Sequence, residues 1–124
     1  MNPLRNRGLC KEAARLNFPF IPGVMTPSEI EVALELGCKI LKLFPAAQAG
    51  GLEMLKALEG PYGHTGVKFI PMGGVNLQNM QQFIRHKSVI AVGGSWLAEK
   101  NLIAAGNYQK IKLNVMEALQ MASC

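Results

Sequence analysis

The sequence contains no aspartate: its 8 acidic residues are all glutamate. That removes Asp-dependent triads and many divalent-metal sites at once. Charge of either sign is scarce, at 17% of 124 residues, against about 25% in a typical soluble domain. A small domain has much surface to solvate. Scarce charge therefore implies that part of the surface is covered, by a partner subunit or by a portion of fold outside this chain. No apolar run approaches the ~20 residues of a membrane-spanning helix, which excludes that class. Cys10, Cys38 and Cys124 form no Cys-x-x-Cys pair, which argues against a disulfide framework or a zinc site and for a reducing compartment. No apolar stretch follows Arg5 and Arg7, so a secretory leader is not expected and the cytoplasm is.

What is present is apolar. At 49% hydrophobic residues and a net charge of +5, the chain has the makings of a core and is not a disordered polymer. Its basic residues are scattered, with no run and little aromatic interleaving, so no nucleic-acid partner is expected. The length fits one domain over residues 1–124.

Four short apolar runs stand out: Phe18 to Pro22, Lys39 to Phe44, Val67 to Pro71 and Val89 to Val92. None alternates cleanly with polar residues, the pattern of parallel strands buried on both faces. Helical patterns lie between them. Thr26-Pro27-Ser28-Glu29 offers an N-cap, a proline in the first turn and a glutamate that closes a capping box. Gly37 is the stop for that helix. Leu52 and Leu55 mark the next, ending before Gly60-Pro61. Asn76 caps a third, with Leu77, Met80 and Ile84 inward. The last starts near Tyr108, with Ile111, Val115, Ala118, Leu119 and Ala122 on one stripe. An opening helix, about Leu9 to Leu16, precedes the first strand. The order is that of an α/β chain of strand–helix units. Each strand ends in a proline or small-residue turn, and such turns cluster where α/β folds bind ligands.

Lys42 is the first chemical oddity, a lysine inside the most apolar strand, on the face of Ile40 and Phe44. Desolvation of an amine favours its neutral form, which Schiff-base chemistry with a carbonyl requires. The alternative is an edge-strand lysine that snorkels to solvent. The second oddity is a pair of glycine turns, Gly73-Gly74 and Gly93-Gly94-Ser95, each directly after a strand. Glycine lets backbone N–H groups converge on phosphate oxygens, and Ser95 adds a hydroxyl. Paired glycines are also ordinary turn formers, but two at equivalent positions match the phosphate loops of a (β/α) barrel. His64 reads as a turn residue and His86 as a partner for a helix C-terminus. The methionines and Trp96 read as packing.

Together, Ile21-Pro22-Gly23, Leu41-Lys42-Leu43-Phe44-Pro45-Ala46, Gly50-Gly51, Met72-Gly73-Gly74-Val75-Asn76 and Gly93-Gly94-Ser95-Trp96-Leu97 resemble the 2-keto-3-deoxy-6-phosphogluconate (KDPG) aldolases. These class I aldolases also act on 4-hydroxy-2-oxoglutarate. The resemblance runs from about Leu9 to the last helix and covers the second half of the family's eight-stranded TIM barrel, strands five to eight with their helices. It implies that Lys42 is the Schiff-base lysine, that Phe44 lines the pyruvate pocket, and that Gly73, Gly74, Gly93, Gly94 and Ser95 hold the phosphate. Met72 stands where the family usually has threonine, a donor near the substrate. The resemblance also implies a general-base glutamate, an arginine and a further threonine on strands one to three, which this chain lacks. The expected reaction is cleavage of the phosphorylated keto acid to pyruvate and glyceraldehyde 3-phosphate, without metal or organic cofactor. The expected partners are a small-molecule substrate and either further copies, as in the family's trimer, or an N-terminal half. The alternative is a truncated, catalytically impaired fragment that binds phosphorylated ligand or acts only in assembly. Four strands cannot close a barrel, and their apolar edges are open to pairing.

Overall fold

The computed structural model describes residues 3–123. In chain order the elements are α1 (Pro3–Arg15), β1 (Gly23–Val24), α2 (Pro27–Glu35), β2 (Ile40–Leu43), α3 (Gly51–Tyr62), β3 (Lys68–Pro71), α4 (Met80–Ile84), α5 (Lys100–Ala104) and α6 (Tyr108–Ala122). Short 3-10 turns occupy Gly63–Thr65 and Ser95–Leu97. The strands form one parallel sheet in the order β1-β2-β3. Gly23 pairs with Lys42 and Lys42 with Ile70.

Strand order therefore follows chain order, with a helix at each crossover. Right-handed crossovers in one direction place their helices on one side of the sheet. The core shows that arrangement: Ile30 and Ala33 of α2, Leu55 and Leu58 of α3, and Met80 and Phe83 of α4 pack with Leu41, Leu43 and Phe69. Leu41 and Leu43 are fully buried, whereas Ile40, on the opposite face, keeps 39% of its surface exposed. The apolar strands are covered on one face and open on the other, where the sequence pattern predicts burial on both.

The outer strands depart from the sequence reading. Phe18 to Pro22 is predicted as the first strand, but the paired strand is Gly23–Val24. Phe18 is 69% exposed and Ile21 45%. Pro19 and Pro22 bring no N–H to a ladder, although the Pro22 carbonyl still accepts from Lys42 N at 2.9 Å. The predicted fourth strand, Val89 to Val92, reduces to one parallel bridge between Phe69 and Val89. Around it Phe69 N donates to Ser88 O at 2.7 Å, Ile90 N to Phe69 O at 3.2 Å and Gly93 N to Pro71 O at 3.3 Å. The segment lies beside β3 in parallel, but no strand among the described residues flanks its far side.

The helices follow local chemistry more closely. Thr26 caps α2 and exchanges hydrogen bonds with Glu29, as a capping box does, with Pro27 in the first turn. Gly37 leaves the helix at φ +83°, a left-handed conformation that costs glycine little. Asn76 is the expected cap of α4, but the helix begins at Met80 with Asn79 at its N-cap and Leu77 before it. Asn76 Oδ1 accepts from Gln78 N and Asn79 N, and Asn79 Oδ1 from Asn76 N, which forms the turn that leads in. α3 runs to Tyr62 with Pro61 inside it, one turn further than the Gly60-Pro61 stop predicts. The predicted α6 stripe is corrected too. Ala118 is buried, but Leu119 is 63% exposed and Val115 38%. α6 meets the rest of the protein along a narrow line, where Asn114 Nδ2 donates to the carbonyls of Trp96 and Leu97.

Buried Cys10 of α1 lies 3.7 Å, sulfur to sulfur, from Cys38. Cys124 falls outside the described residues. No helix among them is long and apolar enough to cross a membrane.

Candidate active site

Parallel strands bring their C-terminal ends to one rim of the sheet, so the turns that follow β2, β3 and the Val89 segment are neighbours. The turn after β3 is fastened to the one after β2: Ala46 N donates to Met72 O at 2.7 Å and Ala47 N to Gly73 O at 3.0 Å. Gly73 and Gly74 are both left-handed, at φ +89° and +74°. A Cβ on Gly73 would lie 2.9 Å from Pro45 Cα and 3.1 Å from the Phe44 ring. Only glycine meets both conditions, so Phe44 can lie close against the Gly73 backbone. The same ring receives Lys42, whose Nζ is 4.6 Å from the ring centroid. A cation–π contact of this kind contributes about 0.5–1 kcal/mol at an exposed site and holds the amine at the sheet's open face.

The second turn is built differently. Gly94 is extended, at φ −175°, so backbone strain does not demand glycine there. Space does: a Cβ would fall 2.3 Å from two ring carbons of Trp96 and 2.7 Å from Val75 O. Gly93 packs under Met72, whose Cε would sit 2.7 Å from its Cβ, and its N–H is spent on Pro71 O. Trp96 is half-buried against the core with Nε1 buried and unpartnered.

These pieces line an open cavity of about 390 Å³, with Lys42, Phe44, Met72, Gly73, Gly74, Val75, Asn76, Gly94, Ser95, Trp96 and Glu99 on its wall. Of the residues singled out in the sequence, Gly93 alone is off the wall. Among the described residues, the N–H groups of Gly73, Gly74, Gly94 and Ser95 donate to no protein acceptor. Amides without protein acceptors on two turns of one cavity suit an anion. Lys42 and Glu99 are the two charged residues on the wall. Glu99 escapes sequence reasoning because it follows a strand end by several residues. The signal was its place in the chain, four residues after Ser95, where the chain passes the rim again. Among the described residues no three His, Cys or Glu side chains gather as a metal site.

A second cluster also escapes the sequence, at the other end of the strands. Ser88 Oγ lies 2.8 Å from His86 Nδ1, and His86 Nε2 is 3.6 Å from Glu59 Oε2. The Lys87 ammonium, paired with Glu59, holds that carboxyl below the usual range, and His86 adds in the same direction. The Ser88 N–H also donates to His86 Nδ1, at 3.2 Å. The group ties α3 to the segment after α4.

The model of KDPG and KHG aldolases matches residues 1–114. The chain belongs to that family. It is 40% identical over 121 residues to a 2-dehydro-3-deoxy-phosphogluconate aldolase of Haemophilus influenzae, covering 98% of this chain and 56% of the relative. Among solved structures it is similar to a KDPG aldolase of Legionella pneumophila captured with pyruvate as a covalent carbinolamine, at 40% identity and a TM-score of 0.77, over 82% of this chain and 48% of that one. It is also similar to the Zymomonas mobilis KDPG aldolase with 3-phosphoglycerate, at 32% identity and a TM-score of 0.78, over 90% and 51% of the two chains. The α/β fold matches that of these aldolases. The chain spans about half the length of the relatives it matches.

Proposed function

We propose that this chain carries the Schiff-base portion of a class I aldolase acting on a phosphorylated 2-keto acid. The observation that carries this reading is that Lys42 shares one cavity with four unpaired amides of two glycine turns. In this reading the chain is strands five to eight of a (β/α) barrel, which fits strand order equal to chain order and helices on one face.

The Lys42 amine adds to the keto carbon of the bound acid and loses water to give an imine. The imine nitrogen takes up a proton, water takes the proton of the C4 hydroxyl, and the C3–C4 bond breaks. Its electron pair moves toward the iminium nitrogen while C4 becomes the carbonyl of the aldehyde, which leaves with its phosphate. The resulting enamine takes a proton at C3, and water releases pyruvate. Phe44 holds the amine and packs beside the keto acid. Gly73, Gly74, Gly94 and Ser95 bind the phosphate of the aldehyde half. Gly93 acts indirectly, by giving Met72 room, and Met72 presents a thioether, which donates no hydrogen bond. The preferred substrate is 2-keto-3-deoxy-6-phosphogluconate, with 4-hydroxy-2-oxoglutarate as the second. The setting is the cytoplasm, where thiols stay reduced.

One observation favours a second reading. The inner face of the sheet is bare, with Ile40 and Ile90 well exposed, so the cavity has one wall. A single wall excludes little water and supplies few groups for proton transfer, which contributes about 10²–10⁴-fold to such reactions. On this reading the chain binds phosphorylated ligand, forms imine and turns over slowly unless further copies or an N-terminal half cover that face.

Trapping separates these chemistries. Incubation with pyruvate and borohydride should place one reduced adduct on Lys42, located by peptide mass spectrometry, and Lys42→Ala should lose it while Lys39→Ala and Lys68→Ala keep it. An adduct equally abundant in Lys42→Ala overturns the assignment. A coupled assay for pyruvate release then decides between full and impaired turnover.

A further inference from the structure

The wall of the Lys42 cavity carries one feature that opposes the ligand it is read to bind. Glu99 lines the cavity beside Ser95 and Trp96. It also lines the adjoining cavity of about 380 Å³, with Leu77, Lys110, Asn114 and Glu117. No arginine or second lysine lines the first cavity. The anion cradle consists of backbone N–H groups and the Ser95 hydroxyl, with Glu99 on the same wall. We propose that Glu99 is a specificity-determining residue: it weakens the hold on a dianionic phosphate and shifts preference toward ligands whose distal group carries less negative charge, a carboxylate or a hydroxyl. The proposal rests on the reading of this cavity as a keto-acid and phosphate site.

The argument is one of charge. Repulsion from a single carboxylate scales with the charge on the ligand, so a dianion is penalised twice as much in free energy as a monoanion at the same place. Amides bind either, because a hydrogen bond to a carboxylate or phosphate oxygen is charge-assisted in both cases. Attraction to Lys42 and to the amides also grows with ligand charge, but it is the same with and without the Glu99 carboxylate, so a change of ligand preference in Glu99→Gln reports the carboxylate alone. Glu99 is exposed, so the effective dielectric is close to that of water and salt screens the effect. The consequence is a preference of several-fold.

The test follows the amide NMR signals of Gly73, Gly74, Gly94 and Ser95 while inorganic phosphate at pH 8, or acetate, is added to the full chain. Removing the charge with Glu99→Gln should tighten acetate by about two- to threefold and phosphate by about the square of that factor, because the dianion feels twice the repulsion in a nearly aqueous dielectric. Glu99→Asp, which keeps the charge, should stay within about twofold of the parent, and 0.5 M sodium chloride should shrink the gain in Glu99→Gln. Phosphate affinities equal in parent and Glu99→Gln overturn the proposal and leave the cradle standing. So does equal tightening of phosphate and acetate, or a change in Glu99→Asp as large as in Glu99→Gln. No phosphate response in any variant overturns the cradle and the proposal together.

Discussion

Along β2, Leu41 and Leu43 point toward the helices and are fully buried, while Ile40 and Phe44 point the other way and stay 39% and 38% exposed. β3 repeats the contrast, with Phe69 and Pro71 buried and Lys68 and Ile70 half-buried. Both faces carry large apolar residues, the open one with Lys42 and Lys68 among them; one has a partner and the other does not. The helical face is finished: its side chains touch α2, α3 and α4 and define one core. The open face is the one that carries Lys42, so the side of the sheet that does the proposed chemistry is also the side without packing. Stability and function are thereby separated within a single four-residue strand.

The largest break in this comparison comes from truncating one side chain on each face. Phe69 is 1% exposed at the centre of the core, and Phe69→Ala should cost about 3–5 kcal/mol, a transfer loss plus a cavity. For a small domain of marginal stability that is close to unfolding. Ile40→Ser, on the open face, should change stability by no more than about 0.5 kcal/mol. Urea titration followed by circular dichroism checks both. If Ile40→Ser costs as much as Phe69→Ala, the open face is covered in solution, by another copy or by chain outside residues 3–123.

The same contrast explains what was legible in the sequence. Local rules read well: Thr26, Pro27 and Glu29 form the capping box their spacing predicts, and Gly37 turns left-handed where the helix should stop. These features depend on residues within a few positions of one another. Burial did not read as well. An apolar run reports that a segment gains by losing contact with water, not that a neighbour exists to cover it. Hence Phe18 to Pro22 and Val89 to Val92 look like strands buried on both faces, whereas the first precedes the paired strand Gly23–Val24 and the second keeps one bridge to β3. Leu119 looks like core and is exposed. The site divides along the same line. Lys42 and the glycine turns stand out because each breaks a local pattern, a charge in an apolar strand or paired glycines after one. Glu99 breaks none, and only the path of the chain brings it to the cavity. Ser88, His86 and Glu59 meet for the same reason, through the packing of α3 beside the segment after α4.

A second break is of intermediate size and sits at the rim, where the two faces meet. Gly94→Ala would drive a methyl into the Trp96 ring, 2.3 Å away, and toward Val75 O at 2.7 Å. Overpacking of this kind costs about 1–3 kcal/mol. It should also weaken phosphate binding, because the ring or the turn must move. Gly60, inside α3, has nothing within 4 Å of a Cβ, and Gly60→Ala should stabilise the helix by about 0.5–1 kcal/mol. Thermal melts of the two variants with and without phosphate test the point. A neutral Gly94→Ala would mean that the rim is as loosely packed as the open face.

The smallest effect is chemical, and it reads how firmly the helical side is closed. Burial pushes the Cys10 thiol from its ordinary 9.0 up to about 11, and the hydrogen bond with Cys38 acts in the same direction. Thiolate is the reactive form, so alkylation of Cys10 by iodoacetamide at pH 8 should be more than ~10-fold slower in the folded chain than in urea, rising only as the pH approaches about 11. A folded pKa above the unfolded one means that the folded chain keeps a proton the unfolded chain has given up. The stabilisation from burying this thiol is therefore complete below about pH 9 and fades as the pH climbs toward about 11. Peptide mass spectrometry of timed alkylation gives the rates residue by residue. Phe69→Ala should raise the Cys10 rate by populating open states, whereas Ile40→Ser should leave it unchanged. Equal acceleration by both would mean that the two faces share one opening event, and that the bare side contributes as much to closing the core as the helices do.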